Sequence, residues 1–72
     1  MTADDYRAAL ARLGLSQNAA SRLMGINART GRRFAETGPT VVAARLIEAL
    51  ETMPQKTREA FMAEHLSPKS DA

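Results

Sequence analysis

An all-α fold, a compact bundle of about five short helices, is what this chain predicts, on three observations. Alanine and leucine are abundant, and β-branched residues are few outside Thr40 to Val42, so no strand is read. Apolar residues recur at the three- and four-residue spacing of a helix face. Capping residues and glycines punctuate the chain between those stretches.

Thr2 can cap the first helix, and Asp5 three residues later resembles the second half of a capping box. Tyr6, Leu10 and Leu13 follow at helical spacing, and Gly14 is a natural left-handed stop. Ser16 caps a short second helix to about Met24, with Ala20, Leu23 and Met24 as its apolar face and Gly25 at its end. Asn27 caps a third helix from Ala28 to about Glu36, closed by Gly38-Pro39. Thr40 caps a fourth, lined by Ala43, Leu46, Ile47 and Leu50. Pro54 takes the first position of a fifth, whose apolar content is Phe61, Met62 and Leu66. Ser67-Pro68 breaks that helix. The expected organisation is one domain over 1–66, with a helix-turn-helix unit at 16–37, a C-terminal helix at 54–66 and a flexible polar tail at 67–72.

Seventy-two residues make a marginal domain, because its surface is large relative to its core. There is no cysteine and no His/Asp/Glu cluster at metal-ligand spacing, so no metal or other cofactor is expected. Tight helix packing and self-association are the remaining aids to stability. No apolar run is long enough to span a membrane, and the acidic start Met1-Thr2-Ala3-Asp4-Asp5 lacks the order of a signal peptide. The expected location is cytoplasmic. An enzyme is not expected: one histidine, no cysteine, no glycine-rich phosphate loop and no pocket for the neighbouring Glu48 and Glu51 leave little for catalysis. Met24, Phe34 and Met53 read as core. His65, near a helix end, suits the helix dipole.

Net charge is only +2, but it is unevenly spread. From Tyr6 to Phe34 there are six arginines and no acid; from Leu46 to Ala72 there are three bases and five acids. Eight of the ten bases are arginine, whose planar fork meets guanine and phosphate bidentately. One end of the chain suits a polyanion, the alternative being ordinary solvated helix faces. Arg7 and Arg12 on the first helix are expected to pair with Asp4, Asp5 or solvent.

The informative stretch is SQNAASRLMGINARTGRRFAETG, Ser16 to Gly38. Two short helices are separated by Gly25, Ile26 and Asn27, a turn that forces a steep crossing and needs small side chains at the approach, which Ala20 and Ser21 supply. Ile26 can plug the apolar space beneath. At about 100° per residue, Arg29, Arg32 and Arg33 share one face of the third helix while Phe34 and Gly31 lie opposite. A helix that reads a DNA groove needs this division: one side held by the core, the other free.

Here the sequence resembles the Cro/C1-type helix-turn-helix regulators, the XRE family. The features that carry the likeness are Ser16-Gln17 opening the second helix, small Ser21, Gly25 four residues on, Phe34 as the aromatic anchor, and Gly38-Pro39 before Ala43 to Leu50 (AARLIEAL). It covers roughly Tyr6 to Leu50. The resemblance implies a lambda-repressor-like domain that binds double-stranded DNA. It implies base contacts from Ala28, Arg29, Arg33 and Gln17, and backbone contacts from Ser16, Asn27, Thr30, Arg32 and Thr40. It implies a bacterial or phage-encoded, nucleoid-associated repressor that binds a palindromic operator as a homodimer. The resemblance includes autoregulators that bind their own promoter and regulators of small phage-type operons that accompany anti-CRISPR genes. The chain departs from the family at Gly31, where isoleucine or valine is usual; glycine there costs about 1 kcal/mol of helix propensity against alanine. Either the two helices pack unusually closely or the register is off by one residue. The family's glutamate after the anchor is here Ala35, with Glu36 one later.

For the dimer seam the C-terminal third offers Leu50, Met53, Phe61, Met62 and Leu66, unless the fifth helix simply folds back on the first. The alternative function is an interaction module, an antitoxin whose main partner is a toxin protein. A long tail able to wrap such a partner would favour it, and only about six residues follow Leu66.

Overall fold

The computed structural model describes residues 1–66. The chain folds into five helices: α1 (Ala3–Leu13), α2 (Gln17–Met24), α3 (Ala28–Thr37), α4 (Val41–Thr52) and α5 (Gln55–Leu66). No strand occurs among the described residues. The segment expected as a flexible tail, 67–72, lies outside them, as does the Ser67-Pro68 break.

Local chemistry explains where the helices begin. The Asp5 N–H donates to Thr2 Oγ1 and the Thr2 N–H donates to Asp5 Oδ2, each at 3.1 Å, which completes the capping box. Ser16 Oγ accepts from Ala19 N–H at 3.0 Å, Asn27 Oδ1 from Thr30 N–H at 2.8 Å, and Thr40 Oγ1 from Ala43 N–H at 3.2 Å. Each cap satisfies an N–H that the helix itself cannot, a gain of about 1 kcal/mol. Pro54 stands one residue earlier than expected: its carbonyl accepts the first bond of α5, from Arg58 N–H at 2.9 Å, and the helix proper opens at Gln55. Between α2 and α3, Gly25 takes φ 73°, a left-handed conformation that a side chain would strain. Its N–H bonds back to Arg22 O, the Ile26 N–H bonds to Ser21 O, and the turn is closed.

α3 packs on both α2 and α1, α4 packs on α1, and α5 packs on α2. The core is built by Tyr6, Ala9 and Leu10 of α1, Ala20 and Leu23 of α2, Phe34 and Ala35 of α3, and Ala43, Ile47 and Leu50 of α4. Tyr6 and Phe34 meet edge to face, with ring centroids 6.0 Å apart. Ile26 reaches the core from the turn, and Met24 packs at its edge.

The C-terminal third differs from expectation. Leu50 is wholly buried in the core of its own chain, so it cannot line a seam with a second copy. Met53, Phe61 and Leu66 are half-buried and pack against that same core. Among the five residues assigned to the seam, Met62 alone is half-buried without joining that packing. The helix has its place because α4 ends at Met53-Pro54 and returns the chain beside α2, with Arg58 Nη1 donating to Leu50 O at 3.5 Å. Among the described residues no helix is long and apolar enough to cross a membrane.

Candidate nucleic-acid interface

The wheel drawn from sequence becomes a physical division of α3. Gly31, Phe34 and Ala35 are buried; Ala28, Arg29, Arg32 and Arg33 are exposed and Thr30 is half-buried. Of the six arginines between Tyr6 and Phe34, two are committed elsewhere. Arg7 bridges Asp4 and the Ala35 carbonyl. Arg12 grips Glu51 at 2.7 and 3.1 Å, joining α1 to α4. Sequence reasoning matched Asp4 but missed Glu51, which is 39 residues away in the chain. Among the described residues Arg22, Arg29, Arg32 and Arg33 form no ion pair. Their guanidinium groups therefore keep their charge and their donors for a ligand.

α2 contributes its first turn. The Ser21 hydroxyl donates to Gln17 O at 2.9 Å, and a Cβ built on Gly31 would stand 1.8 Å from Ser21 Oγ and 3.7 Å from Gln17 O. The start of α2 thus lies directly against the middle of α3, and the exposed Gln17 side chain is carried beside the arginine-bearing helix. Of the two explanations left open for Gly31, close packing is the one observed.

The cap residues have a second property. Ser16, Asn27 and Thr40 each use an acceptor oxygen to close a helix. All three residues are exposed, and their hydroxyl or amide donors make no hydrogen bond among the described residues; none of the three helices has an acid in its first turn. Exposed donors at the positive ends of helix dipoles suit an anion such as phosphate.

One residue went unweighed in the sequence. Glu36 is exposed, and at about 100° per residue it falls within about 20° of Arg29, two turns further along. The face is therefore graded: cationic at the N-terminal end of α3 and anionic at its C-terminal end. The register was legible, since the same wheel that aligned the arginines contains it. Among the described residues no group of His, Cys, Asp and Glu is placed to hold a metal ion. Compared with protein-family models, curated proteins and solved structures, the chain has no significant match.

Proposed function

We propose that this chain is a sequence-specific double-stranded DNA-binding regulator of the Cro/C1 type, a repressor that occupies an inverted repeat as a homodimer. The observation that supports it most is the division of α3. Three unpaired guanidinium groups, those of Arg29, Arg32 and Arg33, stand on the side opposite Phe34, Gly31 and Ala35, which hold the helix to the core. A major groove admits one helix, and bidentate arginine–guanine contacts are the commonest specific readout there. The cationic N-terminal end of α3 enters deepest, while Glu36 keeps the C-terminal end away from the phosphates. Gln17, Ser16, Asn27, Thr30 and Thr40 supply the flanking donors. Repression, as distinct from binding, rests on the likeness to the family.

Selection from a random duplex pool, run at two salt concentrations, tests the proposal. Enrichment of an inverted repeat with half-sites about 10 bp apart, weakening as salt rises, is the expected result. A pool that stays unenriched, with no duplex retained even in dilute buffer, rejects it.

A further inference from the structure

The large apolar side chains that stand furthest out of the fold are Val42, 81% exposed, Val41, 72%, and Met1, 41%. They are not scattered. Val41 and Val42 open α4 directly after its cap, and the start of the chain lies against Gly38, where an added Cβ would meet Met1 O at 3.7 Å. Met1, Pro39, Val41 and Ala44 line a shallow groove of about 280 Å³, and Thr40 with Arg45 and Glu48, the last two paired at 3.3 Å, form its polar wall. Val42 is not part of the groove but stands beside it.

We infer that this face docks a second copy of the chain, each Val42 seating in the groove of the other about a two-fold axis. A two-fold interface brings one patch against itself, so the patch must carry both halves of the fit. This one carries an apolar projection and, beside it, a recess in which Met1, Pro39, Val41 and Ala44 alternate with polar groups. It also carries one cation and one anion, so Arg45 of each copy can meet its opposite on the other. The C-terminal third offers less, because Met53, Phe61 and Leu66 are already engaged with their own core. Gly38-Pro39 ties this face to the end of α3, so a seam here sets the two α3 helices on either side of the axis. The seam deepens the two-fold reading proposed above and rests on it only for its use on DNA.

Sedimentation equilibrium of the full chain without DNA tests it. The unaltered chain is expected to self-associate. Val42→Asp is expected to raise the dissociation constant about tenfold or more, whereas Met62→Asp leaves it within about twofold. Aspartate suits the first turn of a helix, so unchanged helical circular dichroism should accompany the loss. A chain that stays monomeric throughout, or association abolished by Met62→Asp and spared by Val42→Asp, overturns the seam. Either result leaves duplex selection free to succeed, and failed selection leaves sedimentation unaffected, so the two proposals fail separately.

Discussion

Ser21 fills the space that a side chain at position 31 would need. Its Oγ lies 1.8 Å, and its Cβ 3.1 Å, from where a Cβ on Gly31 would stand. Ser21 is 2% exposed, and its hydroxyl is tied to Gln17 O, so moving it aside breaks a hydrogen bond and still leaves a tight contact. On an exposed helix Gly→Ala stabilises by about 1 kcal/mol. Here overpacking, typically about 1–3 kcal/mol, and the lost hydrogen bond, about 1 kcal/mol, outweigh that gain. Gly31→Ala should therefore lower the denaturation midpoint, by about 4–8 °C per kcal/mol for a domain of this size. Ser21→Gly combined with Gly31→Ala should recover most of the loss. A single Gly31→Ala variant as stable as the unaltered chain would show that α2 and α3 do not meet this closely.

Replacing the α3 arginines should separate reading from holding. Arg29→Ala or Arg33→Ala is expected to cost about 1–3 kcal/mol on the selected site and to relax preference at one base pair. Arg32→Ala should weaken all duplexes alike and reduce the slope of log affinity against log salt by about 1. Glu36→Gln should act in the opposite direction, tightening binding to any duplex by up to about fivefold, or about 1 kcal/mol. Binding titrations on the selected and a scrambled duplex check all four; if none of them changes affinity, α3 is not the docking helix.

Tyr6 is 0% exposed, and its hydroxyl has no hydrogen-bond partner among the described residues. Burial pushes the hydroxyl above the usual tyrosine range, so it stays neutral. An unsatisfied buried hydroxyl costs about 1–3 kcal/mol. Tyr6→Phe keeps the edge-to-face contact with Phe34 and removes that cost. Urea denaturation should find it as stable as the unaltered chain, or more so; a clear loss would mean that the hydroxyl is bonded in solution.

Acid should loosen the α1–α4 junction. The hydrogen bond from Arg12 holds the Glu51 carboxyl below its ordinary 4.5, and the bond from the Thr2 backbone holds Asp5 below its ordinary 3.8. Both folded values are depressed. The stability they contribute is fully present above the unfolded values and is lost as pH falls through the folded ones. Denaturation midpoints should fall between about pH 5 and pH 3, and Glu51→Gln should show a shallower decline. Equal acid sensitivity in the two chains would exclude this pair as a source.

The helices and the sidedness of α3 are written in the order of the residues. Those are local matters. A cap bonds to a backbone N–H three residues away, as Thr2, Ser16, Asn27 and Thr40 do. The angle between Arg29 and Phe34 follows from helical pitch alone. Whatever depends on which helices become neighbours was settled by their packing. It placed Leu50 in the core rather than at a seam, joined Arg12 to Glu51 across 39 residues, and left Val41 and Val42 uncovered. It also explained Gly31, whose missing side chain has no meaning until Ser21 of another helix occupies the place. Periodicity shows that a side chain faces inward or outward; what it meets there is set by packing between distant segments, which spacing along one chain does not encode.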